Sequence, residues 1–341
     1  MCDEHADVMV GRILTVGRVR QLNAKDYFYQ MLKDNPQLTA IYPGIENELL
    51  HGAIDHHIHA SPDFVYRSQD MFEVGKEAAK AGMRGVGFKD HFNLTANAAY
   101  LVEKHVNMLI QRGEVPWPYP GPDRDKGFRV IGGIGTCHGV NPEAVRQGIN
   151  YPNFRMVWCP TFTSAGYLRG AGKEWRSGVR LVGDDGQVLP NVREVMELCA
   201  QHKIAMGFGH TDFIELKPLA VLARGLGVRA ILDHPLLELN KLLLDEMKEL
   251  ADLGVYVGVY CQPMIPSIYQ PVADPFETVE TIKAVGAERC IIASDFGQVL
   301  HLDTVDGIRI MIRALLGFGI SKSEIEVMIK RNPARLLRLD D

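Results

Sequence analysis

From residue 53 onward two hydrophobic patterns alternate along the chain. Short apolar or β-branched runs occupy 53–59, 83–89, 128–135, 155–162, 203–209, 229–234, 254–260 and 290–295. Longer segments with apolar positions at helical spacing lie between them. Ile308, Met311, Ile312, Leu315 and Leu316, for example, form one stripe after the eighth run. Helix ends are also legible. Asn191 precedes Val192, Val195, Met196 and Cys199, with Glu194 where a capping-box acid belongs. Asp274-Pro275 opens a helix that Gly286 closes, and Thr95 reads as the N-cap of a helix over 96–111.

Eight strands, each followed by a helix, predict an α/β chain folded as a (β/α)8 TIM-type barrel. An open doubly wound sheet is the alternative. No dinucleotide fingerprint follows the first strand, however, and no phosphate-binding glycine loop occurs. Residues 1–50 read as an N-terminal helical extension, with apolar positions at Val8, Val10, Ile13, Leu14, Tyr27, Met31 and Leu32, and residues 51–341 as the barrel. Two loops break the alternation. Residues 113–127 are too rich in Pro and Gly for a helix. Residues 161–190, with Arg169, Lys173, Arg176 and Arg180, follow the fourth strand. A βα-loop of that length belongs at the catalytic mouth of a barrel.

Composition narrows the class of partner. A net charge of -5 gives no reason to expect nucleic acid or an anionic membrane surface. The six cysteines are scattered without a CxxC, several inside apolar runs, as expected of free thiols in a reducing compartment. The first residues lack the basic-then-apolar order of a signal peptide, and no apolar run reaches membrane-spanning length. The expectation is a cytoplasmic protein with a small-molecule substrate. The apolar helical extension favours a homo-oligomer, although it could equally dock on its own barrel.

Barrel enzymes take their chemistry from the C-terminal ends of the strands. Strand 1 ends Asp55-His56-His57-Ile58-His59, and residues two apart on a strand share a face, so His57 and His59 stand side by side. Strand 5 ends in His210, strand 6 in Asp233-His234 and strand 8 in Asp295. A lone histidine at a strand end is more often structural, and an aspartate there often caps a helix. The conjunction, in register with the strand pattern, points instead to a divalent metal, zinc or manganese.

This pattern resembles the amidohydrolase superfamily, which carries an HxH pair on strand 1, histidines ending strands 5 and 6, and an aspartate ending strand 8. His57, His59, His210, His234 and Asp295 match it, and Asn332-Pro333-Ala334-Arg335-Leu336-Leu337 looks like the end of such a chain. The segment Gly87-Phe88-Lys89-Asp90-His91 is similar to that of DUF6282-like proteins within the superfamily. One departure stands out: many members place a carboxylated lysine or a glutamate at the end of strand 4, where this chain has Trp158-Cys159-Pro160. Lys89, ending strand 2, is the substitute as a carboxylated bridge between two metals. The alternatives are an ammonium that binds substrate beside one metal, Asp90 or His91 as a ligand, or, less readily, a Cys159 thiolate.

The resemblance implies hydrolysis of a C–N or C–O bond in a small molecule: an amide, lactam, lactone or ester. A metal held by neutral imidazoles lowers the pKa of water from about 15.7 to about 7, generating the hydroxide for attack. Asp295 would carry the proton to the leaving group, and His234 would bind metal or steady the oxyanion. Arg67, His91 and Arg169 are candidate substrate contacts, with ion pairing or solvation the plainer explanation for both arginines. A mononuclear decarboxylase of an aromatic or unsaturated carboxylate is the enzymatic alternative. A non-catalytic binding protein on the same barrel is the alternative from another class.

Overall fold

The computed structural model describes residues 41–237, 240–265 and 274–340, with Gln30, Lys33, Asp34 and Pro36 before them. The helical extension expected over 1–50 falls largely outside the described residues. From Glu46 to Asp341 the chain forms one compact unit.

Eight parallel strands follow one another in a single sheet in chain order: β1 (Ile54–Ile58), β2 (Gly85–Phe88), β3 (Arg129–Gly135), β4 (Phe154–Trp158), β5 (Ala205–Gly207), β6 (Ala230–Leu232), β7 (Tyr256–Tyr260) and β8 (Cys290–Ala293). Seven fall within their apolar runs, and β4 begins one residue before its run, at Phe154. The principal helices between and after them are α1 (Met71–Lys80), α2 (Ala96–Gln111), α3 (Pro142–Gly148), α4 (Pro190–Gln201), α5 (Phe213–Leu226), α6 (Leu244–Asp252), α7 (Pro275–Val285) and α8 (Thr304–Gly317). The sheet comes round on itself just past the strand ends. Asp295 N–H donates to the His57 carbonyl at 3.0 Å, and His59 N–H donates to the Phe296 carbonyl at 2.9 Å. The buried Asp55 carboxylate adds to this seam by accepting the backbone N–H of Ser294 and of His57, each at 3.2 Å.

Ile54, Ile131, Met156, Trp158, Ile231, Tyr260 and Ile291 form the barrel core, a packed interior rather than a pore. Leu336, Leu337 and Leu339 of the C-terminal segment belong to the same cluster. Asn332 anchors that segment by donating from Nδ2 to the carbonyls of Ala287 and Cys290, both at 2.8 Å.

The Pro-rich loop 113–127 lies near the start of β2, at the end of the barrel opposite the histidines. Its Trp117 is buried and donates from Nε1 to the Met83 carbonyl at 2.7 Å, and Asp123 takes both the Arg84 guanidinium and the Tyr119 hydroxyl. The 161–190 insertion folds into a helix (Ala165–Gly170), a 3-10 turn (Trp175–Ser177) and the bridge Val182–Val188.

Helix boundaries were read well, cap chemistry less so. Asp274 caps α7 by accepting the N–H of Phe276 at 2.9 Å. Helix α2 begins after Thr95, but the Thr95 hydroxyl donates to the Phe88 carbonyl at 2.7 Å instead of capping. The expected cap of α4 is corrected: the helix starts two residues earlier, at Pro190, with Leu189 before it. Asn191 Nδ2 reaches across to the Val140 carbonyl, and Glu194 pairs with Arg146. Pro190 stands at N1, where its fixed φ suits the first turn and its missing N–H costs no helical hydrogen bond. The five described cysteines are buried and unpaired. No helix among the described residues is long and apolar enough to cross a membrane.

Candidate metal centre

His57, His59, Lys89, His91, His234 and Asp295 are all buried at the C-terminal ends of their strands, with His210 alongside. Three of these positions have unusual backbone. His210 (φ 56°), His234 (φ 38°) and Asp295 (φ 56°) lie in the left-handed region, each just after its strand has ended. Residues other than glycine adopt that region at a cost, and such costs concentrate at functional sites.

Asp295 Oδ1 lies 3.4 Å from His57 Nε2 and 3.3 Å from His59 Nε2. Two donors each about 2.1 Å from a tetrahedral metal stand about 3.4 Å apart, so these separations are those of ligands sharing one ion. His57, His234 and Asp295 bring donor atoms within 4.8 Å of one another, and His57 Nε2 is buried with no hydrogen-bond partner. An orphaned imidazole nitrogen beside a carboxylate oxygen and a second imidazole is a fit for a divalent cation. The ring of His210 packs against His234 with centroids 4.5 Å apart.

Behind His57 runs a hydrogen-bonded web. His57 Nδ1 pairs with Asp233 Oδ1 at 2.9 Å, and Tyr260 donates its hydroxyl to the same oxygen at 2.6 Å. His56 Nε2 meets the Tyr260 hydroxyl at 3.0 Å. A register shift in β1 between Asp55 and Ile58 accompanies the approach of both His56 and His57 to Tyr260. Facing a carboxylate, His57 Nδ1 is the protonated nitrogen, which leaves the lone pair on Nε2 turned to the centre. The cluster of His56, His57 and Asp233 is thereby accounted for without a second ion. Space for Asp233 comes from Gly207, where a Cβ would stand 2.3 Å from Asp233 Oδ2.

Burial dominates the electrostatics. It pushes His210 down to about 3 and His56 to about 4, and holds His57, His59, His91 and His234 well below the ordinary imidazole range. All six imidazoles are therefore neutral at neutral pH, as metal ligation requires. Burial raises the Asp295 carboxyl to about 7, with the Lys89 charge opposing the rise. The Lys89 ammonium makes no hydrogen bond or ion pair among the described residues.

The other expected residues divide. His91 belongs to the centre: its ring stacks on His59 at 4.6 Å and its Nδ1 meets the Thr161 hydroxyl at 2.8 Å. The Asp90 carboxylate is taken by the loop, accepting Phe92 N–H at 2.7 Å and Asn93 N–H at 2.8 Å. Cys159 is a neutral thiol, its pKa pushed up by burial. The Arg67 guanidinium is paired with Asp63 at 2.8 Å. Arg169 is paired with Asp212 and lies 4.4 Å from the Trp175 ring. Asp233 and Tyr260 were missed as site residues. The strand-end rule points to Asp233, which precedes His234, whereas Tyr260 ends β7 at a position that a core side chain could equally fill.

Comparison with known proteins agrees with this architecture. A family model described as "Family of unknown function (DUF6282)" matches residues 52–258. No curated protein matches the chain. Among solved structures, an amidohydrolase from Pseudomonas aeruginosa aligns with a TM-score of 0.54 at 16% identity, over 86% of this chain and 98% of that one. A 2,6-dihydroxybenzoate decarboxylase from Rhizobium aligns with a TM-score of 0.51 at 11% identity, over 85% and 100%. A lactonase template engineered for organophosphate hydrolysis aligns at 0.50 and 14%, over 86% and 97%. At these identities the likeness is one of fold: a barrel shared by an amidohydrolase, a decarboxylase and a lactonase template.

Proposed function

The chain belongs to the DUF6282 family, and from that premise we propose that it is a metal-dependent hydrolase of C–N or C–O bonds in small molecules. The observation that carries this reading is the cluster of His57, His234 and Asp295, whose donor atoms lie within 4.8 Å of one another and include the orphaned His57 Nε2. His57, His59, His234 and Asp295 would hold zinc or manganese, with His210 beside His234. When bound, the metal supplies Lewis acidity and lowers the pKa of water to about 7.

The chain's own residues supply the rest. Asp233, itself held by Tyr260, keeps His57 in the tautomer whose Nε2 faces the centre. Asp295, buried beside His57 and His59, is placed to take a proton from the attacking water and return it to the leaving group. Lys89 is read as a substrate contact: its amine makes no hydrogen bond or ion pair with Asp233, Asp295 or any other described residue, which leaves it open to a substrate anion.

Decarboxylation is the second reading, favoured by one observation. Strand β4 ends in buried Trp158 and neutral Cys159, so it offers no bridging carboxylate for a second metal. Metal per chain, measured by elemental analysis on the native protein and on Lys89→Ala with and without bicarbonate, tests both. One metal, indifferent to Lys89 and bicarbonate, supports the mononuclear centre drawn above and raises the decarboxylase. Two metals, falling in Lys89→Ala, reassign Lys89 to a carbamate bridge and strengthen the hydrolase. No metal, even after reconstitution with zinc or manganese, sinks both readings.

A further inference from the structure

We propose that the mouth of the barrel is an aromatic-ring subsite, and that the substrate is an aryl or otherwise planar conjugated acyl compound with its ring against Phe64 and Phe162. This rests on the reading of Asp295 and its histidines as the reaction centre.

Three loops that are remote in sequence each bring an aromatic side chain to the same place. Phe64 comes from the loop after β1, Phe92 from the loop after β2, and Phe162 and Tyr167 from the insertion after β4. The Phe64 ring lies 5.0 Å from Phe92 and 6.1 Å from Phe162, and Phe162 lies 5.6 Å from Tyr167. The group is continuous with the metal centre through His91, which stacks on His59 at 4.6 Å on one side and meets Phe162 at 4.5 Å on the other. An unbroken series of rings therefore leads from a candidate ligand to solvent.

The outer members are left open. Phe64 is 52% exposed and Phe162 39% exposed, although His91 beneath them is only 6% exposed. Apolar rings that converge on a polar centre from separate loops, and remain wet, mark a ligand site. Their arrangement selects for planarity. Aromatic pairs gain from edge-to-face and offset contacts beyond the area they bury, a gain that a saturated ring of similar size does not share.

The polar end of the ligand follows from charge. Arg67 is occupied by Asp63, whereas the Lys89 ammonium has no partner among the described residues. One open cation matches one anionic or strongly polarised group. An acyl or carboxyl carbon attached directly to the ring places that group over Lys89 and Asp295 while the ring reaches Phe162. The same compound class serves hydrolysis of an aryl ester or amide and decarboxylation of an aryl acid.

Benzoate and cyclohexanecarboxylate, equal in charge and close in size, separate planarity from bulk. Their affinities for the metal-loaded full chain, measured by titration calorimetry, should differ by about 2- to 10-fold in favour of benzoate. Phe64→Leu and Phe162→Leu keep apolar volume and should each shrink that preference, with thermal melts confirming the fold. Equal affinities, an unchanged preference in both variants, or no binding of either carboxylate would overturn the proposal. Metal content of the same samples keeps the two readings apart. A chain that holds metal without preferring benzoate loses only the aromatic subsite. A chain that prefers benzoate but never holds metal loses only the metal-dependent reaction.

Discussion

Nδ1 of His57 lies 2.9 Å from Oδ1 of Asp233, and this contact decides which nitrogen of His57 faces the centre. The imidazole carries one proton when neutral; with the carboxylate holding that proton on Nδ1, the lone pair is on Nε2, 3.4 Å from Asp295. Tyr260 reinforces the arrangement by donating to the same carboxylate oxygen at 2.6 Å.

Asp233→Asn preserves shape but removes the charge that fixes the tautomer. Outer partners of this kind are worth about 10- to 100-fold in metal affinity. Metal titration of the metal-free variant should show a loss in that range, with Tyr260→Phe showing a smaller one. An unchanged affinity in Asp233→Asn would mean that His57 is not a ligand.

The site-bearing strand ends were legible because the apolar runs there give way to a histidine or an aspartate: His59, His210, His234 and Asp295. Periodicity gave all eight strands, and strand-end position gave His57, His59, His210, His234 and Asp295. The web behind them was not legible. Whether Tyr260 supports a ligand or fills the core depends on which strand ends approach across the barrel, and a register shift in β1 brings His56 and His57 to it together. The roles of arginines depend in the same way on nearby acids: Asp63 for Arg67 and Asp212 for Arg169.

The pH dependence of the metal-free chain follows from two opposed groups. His56, His57, His59, His91, His210 and His234 all have pKa values depressed below 6.5 by burial. They stay neutral when folded but take up protons when unfolded, so their contribution is present above about 6.5 and lost as pH falls. Asp55 and Asp295 are raised to about 7 and Asp233 is raised as well. Their contribution has the other sign: it is present below about 4 and lost as pH rises through about 7. Six imidazoles outweigh three carboxyls between about pH 5 and 6.5. The urea midpoint of the metal-free protein should therefore rise over that interval at constant m. A falling midpoint would mean that the carboxyls dominate.

Trp117 offers a separation of stability from activity. It is buried at the end of the barrel away from the histidines and donates to the Met83 carbonyl at 2.7 Å. Trp117→Ala should cost about 3–5 kcal/mol, the range for emptying a buried aromatic site. Denaturant unfolding measures that loss, while metal content per folded chain should stay unchanged. A loss of metal in the folded variant would show that the two ends of the barrel are coupled.

Gly297 is the tightest constraint on the seam between β8 and β1. Its φ is 129°, and a Cβ there would fall 1.7 Å from the His59 carbonyl oxygen. That carbonyl cannot swing aside freely, because the His59 N–H is bonded to Phe296 at 2.9 Å and the Ser68 N–H is bonded to Gly297 itself at 2.9 Å. Gly297→Ala must therefore move the end of β1 away from β8, and with it His59 away from Asp295, which now stand 3.3 Å apart. Gly286→Ala is the control: its φ is also positive, at 90°, but nothing lies within 4 Å of the added carbon. Both variants bear a backbone cost of about 1–3 kcal/mol. Only Gly297→Ala should also lose metal, read as metal per chain alongside the melting temperature. If the two variants melt lower but keep equal metal, the position of His59 relative to Asp295 does not govern the centre.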